Sequence, residues 1–187
     1  MQFTRRTATL AGLSAFAGAL VPGIARAQRS DWWMRDMNGW MLDTQRGLYG
    51  TLESAKKTIR LVSTKDSQGN AFDGTARYLI RFPRGQMPPV SGFWSLTVHD
   101  DSGGNSIGSQ NALIVRPNGT VDIFVQGYPP PVLPGVNWLA WNGGPFRLSL
   151  LMNRPSETDP SIFTGSWTPP PVGRIAYAYK YNPNGRG

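Results

Sequence analysis

Three proline clusters, Pro88-Pro89, Pro129-Pro130-Pro131 and Pro169-Pro170-Pro171, constrain this chain more than any other feature. Proline has no N–H to donate to a β-ladder, so each cluster marks an ordered crossing between strands. Between the clusters lie short apolar runs ended by turn residues, the pattern of antiparallel β structure. In "ARYLIRF" (76–82), Tyr78, Ile80 and Phe82 share one face, and Arg77, Leu79 and Arg81 share the other. "FWSLTVHD" (93–100) turns Trp94, Leu96 and Val98 inward, and Ser95, Thr97 and His99 outward. "PFRLSLLMN" (145–153) presents Phe146, Leu148, Leu150 and Met152 to a core. In "ALIVRPNGTVDIFVQ" (112–126), two strands are expected to flank the turn at Pro117-Asn118-Gly119, where Asn-Gly reaches positive φ. "RIAYAYKY" (174–181) is read as a last strand, with Tyr177, Tyr179 and Tyr181 on one face.

Strands this short cannot each bury an apolar face alone, whereas two sheets packed face to face can. The predicted fold is mainly β, an antiparallel jelly-roll-like β-sandwich. Helix is expected only near the start. In "SDWWMRDMNGWMLDTQRGLYGT" (30–51), Trp33, Met37, Trp40 and Met41 recur near helical spacing behind Ser30 or Asp31 as a cap. Gly39 and Gly47 run against that reading.

The first 27 residues read as an export signal. A basic start, "MQFTRR", precedes small and apolar residues 8–24, and Ala25-Arg26-Ala27 supplies a cleavage pattern. Arg5-Arg6 suggests the twin-arginine route; "TATL" matches that route only in part, which keeps ordinary Sec export open. The apolar stretch is shorter than the ~20 residues a membrane span needs. The expected organisation is a signal over 1–27, an N-terminal segment over 28–65 packing on the sandwich, and the sandwich over 66–187. The expected location is the periplasm or the medium, with no span left after cleavage.

Of the 19 basic residues, Arg5, Arg6 and Arg26 lie in that signal with none of the 11 acids, leaving 16 against 11. The excess is scattered, unlike the concentrated basic face of a nucleic-acid binder, so no nucleic acid is expected. With no cysteine there is no disulfide or thiolate, and one histidine excludes a multi-His metal site within the chain. No cofactor and no metal are expected. Any Ser-His or His-Asp scheme would have to run through His99.

"DGTARYLIRFPRGQMPPVSGFWSLTVHDDSG" (73–103), followed in order by "RPNGTVDIFVQ", "NWLAW…GGPFRLSLLMNRP" and "SWTPPPVGRI", resembles the domain-of-unknown-function family numbered 1214. The likeness runs from about residue 50 to 175. It implies a jelly-roll sandwich with an N-terminal helical piece, and no established reaction. It also implies a stand-alone version, without the companion domain of unknown function numbered 1254. Family members usually carry an aromatic such as tyrosine where this chain has His99, so no family-wide chemistry is expected to rest on that residue.

Candidate site residues follow from side-chain type. The forks of Arg77 and Arg81 suit a carboxylate, sulfate or sugar acid, unless they form ion pairs with Asp73 or Asp122. Tyr128, Trp138 and Trp141 lie in segments that read as loops and would offer aromatic platforms. Asp100, at the end of the strand that runs into the Asp-Gly turn 101–105, is either structural or a ligand contact. The leading expectation is a non-catalytic module binding a small anionic or carbohydrate ligand, or a protein partner, through Arg81, Asp100, Tyr128, Trp138 and Trp141. A hydrolase or lyase using two of Asp73, Asp100, Asp101 and Asp122 is the alternative, since glycoside chemistry needs two carboxyls about 5–10 Å apart. A third reading makes "DWWMRDMNGWM" the docking segment of an envelope subunit.

Overall fold

The computed structural model describes residues 37–43, 57–130 and 135–176. In chain order the strands are β1 (Met41–Leu42), β2 (Thr58–Ser63), β3 (Tyr78–Phe82), β4 (Trp94–His99), β5 (Gly104–Gly108), β6 (Val121–Gln126), β7 (Asn137–Ala140), β8 (Arg147–Asn153) and β9 (Val172–Arg174). One helical turn, α1 (Ser161–Thr164), precedes β9 and stops at Gly165, whose φ is 74°. The strands form a five-stranded sheet in the order β1-β2-β8-β4-β5 and a four-stranded sheet in the order β7-β6-β3-β9. The chain changes sheet between β2 and β3, β3 and β4, β5 and β6, β7 and β8, and β8 and β9; Pro88-Pro89 lies in the second of these crossings and Pro169-Pro170-Pro171 in the last.

Alternation in sequence becomes the inside and outside of this sandwich. Ile59 and Leu61 of β2, Leu96 and Val98 of β4, and Leu148, Leu150 and Met152 of β8 face Tyr78, Ile80 and Phe82 of β3 and Val121, Ile123 and Val125 of β6 in one core. Burying side chains of this size contributes roughly 1.5–3 kcal/mol each. At one end Phe72 stacks on Phe146 at 4.9 Å, and Tyr78 stands edge-on to both at 5.1 and 5.6 Å. Those are the separations at which aromatic quadrupoles attract.

Each side of the sandwich is closed by side-chain hydrogen bonds. Asn105 Nδ2 on β5 donates to Ala140 O on β7 at 2.9 Å. Opposite, Trp40 Nε1 donates to Pro170 O at 3.0 Å, and Asn38 Nδ2 donates to Pro169 O at 2.9 Å. The proline crossing ahead of β9 is thereby tied to the start of the described chain.

Two expectations are corrected. Residues 37–42 are not helical: Met37 and Trp40 bridge around a turn at Asn38 (φ 59°) and Gly39 (φ 82°), and β1 then pairs with β2. Two successive left-handed residues are incompatible with a right-handed helix, so Asn-Gly prevails over the helical spacing. Residues 30–36 and 44–51 of that expected helix lie outside the described residues. Residues 112–116 are not a strand either, because the Asn137 side chain takes both main-chain groups of Ile114, N–H at 2.8 Å and C=O at 2.9 Å. β6 pairs instead with β7, and that pairing is parallel, the exception in otherwise antiparallel sheets. β9 ends at Arg174, and Tyr177, Tyr179 and Tyr181 lie outside the described residues.

Candidate functional site

β6 departs from the pattern of its neighbours, since all six of its residues are buried. Val121, Ile123 and Val125 belong to the core, so Asp122, Phe124 and Gln126 must be covered on the outer face of the four-stranded sheet. Register sets the neighbours there. Arg81 lies opposite Asp122, and Leu79 opposite Phe124, while Phe124 is level with Trp138 of β7. A charged row and an apolar-aromatic row therefore stand side by side, about 6.6 Å apart along the strands.

Asp122 is the electrostatic centre of that face. It is 3% exposed, and its carboxylate is held by two arginines. Arg81 donates from Nε to Oδ1 at 2.7 Å and from Nη2 to Oδ2 at 2.9 Å, while Arg116 Nε stands 2.7 Å from Oδ2. The Arg81 hydrogen bond, opposed by burial and aided by the charges of Arg81 and Arg116, holds the Asp122 carboxyl below the usual carboxylate range. The cluster carries two cations and one anion. The turn at 116–119 adds to it: Gly119 has φ 83°, and a Cβ there would lie 2.8 Å from Cγ and Cδ of Arg84. The stem of a third arginine thus lies over the turn that presents Arg116.

Two cavities adjoin this cluster. One, of about 150 Å³, has Arg116, Asp122 and Asn137 as its polar groups and Ile114, Val115, Pro117, Phe124 and Val136 among its apolar walls. Ile114 and Val115 are exposed apolar residues at its rim. The other, of about 260 Å³, is lined by Arg81, Pro83, Gln86, Thr168, Pro170 and Pro171. Gln126 closes the far end of the face. Its Nε2 donates to Tyr128 O, its main-chain O accepts from Trp138 Nε1 at 3.0 Å, and its Oε1 is buried without a partner.

The carboxylates considered for acid–base work are each engaged elsewhere. Thr75 N–H and hydroxyl lower Asp73, with Arg174 at 4.0 Å. The Ser102 hydroxyl and N–H lower Asp100, and Asp101 pairs with Arg147. A general acid needs a raised carboxyl pKa, and Asp73, Asp100 and Asp122 all shift the other way. His99 Nε2 does meet Ser149 Oγ at 2.7 Å, on the outer face of the five-stranded sheet. Ser149 is 2% exposed, and neither residue lines either cavity. A hydroxyl so enclosed has no space for a substrate carbonyl beside it. Among the described residues no three His, Asp or Glu side chains gather as a metal site.

Residues 57–157 match the family model described as a protein of unknown function, DUF1214. The chain belongs to the DUF1214 family. Among solved structures it is similar to the VPA0106 protein from Vibrio parahaemolyticus, at 20% identity and a TM-score of 0.55, over 70% of this chain and 33% of that one. It is also similar to a protein from Burkholderia cenocepacia, at 16% identity and a TM-score of 0.46, over 82% of this chain and 39% of that one. The chain thus spans about a third of the length of the solved proteins it matches. No curated protein matches it.

Within this DUF1214 chain the five residues singled out from sequence part company. Arg81 and Trp138 lie on the outer face of the four-stranded sheet, and Tyr128, 83% exposed, follows β6 at its edge. Trp138 is in strand β7, not in a loop. Trp141, also expected in a loop, is buried against Phe146 with its indole N–H on Gly144 O at 3.0 Å. Asp100 serves the turn that follows β4, accepting from Ser102 N at 2.7 Å and Gly103 N at 3.2 Å. Sequence reasoning left out Arg116, Phe124 and Asn137. The signal for Asp122 and its partners was an acid standing between Val121 and Ile123, in a strand too apolar for a solvent-facing charge.

Proposed function

We propose that this protein is an exported, non-catalytic β-sandwich module that binds a small molecule combining an anionic group with an apolar body. The observation that supports this reading is the Arg81–Asp122–Arg116 cluster, one positive charge in excess, at a cavity whose remaining walls are mainly apolar. Asp122 fixes the two guanidiniums in advance, so little side-chain ordering is left for binding to meet. Phe124, Ile114 and Val136 then receive the apolar part. The export signal read over residues 1–27 supports a ligand of the envelope or the medium.

The test is a titration with hexanoate and benzoate, with hexanol as the uncharged control, followed by melting temperature and tryptophan fluorescence. Binding of the two carboxylates but not of hexanol, weakened at least tenfold by Arg116→Ala, is the expected result. No shift with any probe, or equal binding of hexanol, would reject the reading. Fractionation of cells expressing the full chain, with Arg5-Arg6 replaced by Lys-Lys in parallel, tests the export.

A further inference from the structure

The proline-walled cavity shares Arg81 with the Asp122 cluster, Asp122 is not in its lining, and it differs in kind from the cavity beside Arg116. Among the described residues that line it there is no carboxylate, and Arg81 is the one charged group. Asp122 takes the side-on edge of that guanidinium, through Nε and one hydrogen of Nη2. Guanidinium has five N–H donors, so the end-on edge, formed by Nη1 and the second hydrogen of Nη2, keeps its donors for another anion. The salt bridge orients that edge without using it.

Around the charge stand two neutral polar side chains, Gln86 and Thr168, and three proline faces, Pro83, Pro170 and Pro171. These walls are pinned. Trp167 Nε1 donates to Gln86 O at 3.1 Å, Trp40 Nε1 to Pro170 O at 3.0 Å, and Asn38 Nδ2 to Thr168 Oγ1 at 3.3 Å. The cavity volume, about 260 Å³, falls below the roughly 300–1,000 Å³ of drug-sized sites, so the occupant is a small molecule.

We propose that this cavity is a second site, sharing only Arg81 with the Arg116 cluster, and that it takes a small polyhydroxylated carboxylate, a sugar acid in chemical class. The carboxylate meets the end-on edge of Arg81, hydroxyls exchange hydrogen bonds with Gln86 and Thr168, and the C–H face of the ring lies on Pro170 and Pro171. The proposal rests on this lining alone and does not depend on what the Arg116 cavity binds.

The experiment is two-dimensional NMR of the full chain with D-glucuronate as probe and D-glucose as the uncharged control. Glucuronate is expected to shift the amides of Gln86 and Thr168, and glucose to bind at least roughly tenfold more weakly for want of the charge-assisted contact. Arg81→Gln should weaken glucuronate by about the same factor, Thr168→Val by about threefold, and Arg116→Ala by less than twofold. Because Arg81→Gln also loosens Asp122, Thr168→Val carries the test if the first variant does not fold. Equal binding of glucose, shifts confined to residues away from Gln86 and Thr168, or no effect of Thr168→Val would overturn the proposal. Loss of glucuronate binding in Arg116→Ala would also overturn it, by assigning the probe to the other cavity.

Discussion

Arg81 and Asp122 oppose one another in the β3–β6 ladder, and the guanidinium of the first holds both carboxylate oxygens of the second. The two partners differ in environment, with Arg81 55% exposed and Asp122 3% exposed. That asymmetry sets what each substitution costs.

Asp122→Ala removes the buried anion from two arginines and leaves their charges facing each other. It is expected to destabilise the fold by about 2 kcal/mol, in the range for hydrogen bonds to a charged group, because the two arginines left behind are exposed enough to hydrate. Arg81→Ala leaves Asp122 with Arg116 and should cost only about 1 kcal/mol. Urea midpoints of the two variants check the ranking. Equal costs would mean that Asp122 is not the centre of the cluster.

Acid should weaken the fold through the same carboxylate. The folded pKa of Asp122 lies below its unfolded value of 3.8, so its contribution is complete above that value and is lost as pH falls through the folded one. Asp66 shares this direction: burial alone raises its carboxyl, but the N–H groups of Asn70 and Gln68, the Asn70 side chain and the charge of Arg174 bring it down. Stability measured by urea from neutral pH to about pH 2 is expected to stay flat down to about pH 4 and then fall. Asp122→Asn should make that fall shallower.

The indole N–H of Trp40 reaches a carbonyl 130 residues away. Trp40→Phe keeps most of the packing but leaves Pro170 O without its donor, at a cost of about 1 kcal/mol. Its sharper consequence is local. Amide exchange at residues 172–174 should speed up more than exchange in β8, because the crossing ahead of β9 has lost an anchor. Uniform acceleration across both sheets would contradict that placement.

Trp141 and Tyr128 should behave in opposite ways. Trp141→Ala opens space against Phe146 and is expected to cost about 3–5 kcal/mol. Tyr128→Ala, on a side chain projecting into solvent, should stay within roughly 0.5 kcal/mol of the parent. Thermal melts separate the two.

What sequence disclosed was whatever depends on period two. β3, β4 and β8 alternate, and their inward residues, from Tyr78 to Met152, were placed on the correct face by counting. The turn at Gly119, with positive φ, was legible from its Asn-Gly pair. The Arg81–Asp122 ion pair was one of two partners open to Arg81 from spacing alone, and only register selects it over Asp73. Asn137 shows the limit. A side-chain amide that imitates a strand for Ile114 has no periodic signature, so residues 112–116 looked like a strand while "NWLA" looked like a loop. The outer face of β6 was hidden for a related reason, since the partners of Asp122 and Phe124 there, Arg81, Arg116 and Trp138, are set by register and a turn rather than by period.

The indole hydrogen bonds to main-chain carbonyls made among the described residues by Trp40, Trp138, Trp141 and Trp167 bear on where folding can occur. Many exported domains secure their loops with cystines and must wait for an oxidant before the last contacts form. Here the crossings are secured by groups with no redox chemistry under those conditions. The same packing is therefore within reach in a reducing or an oxidising compartment, and thiol reagents have nothing in this chain to act on.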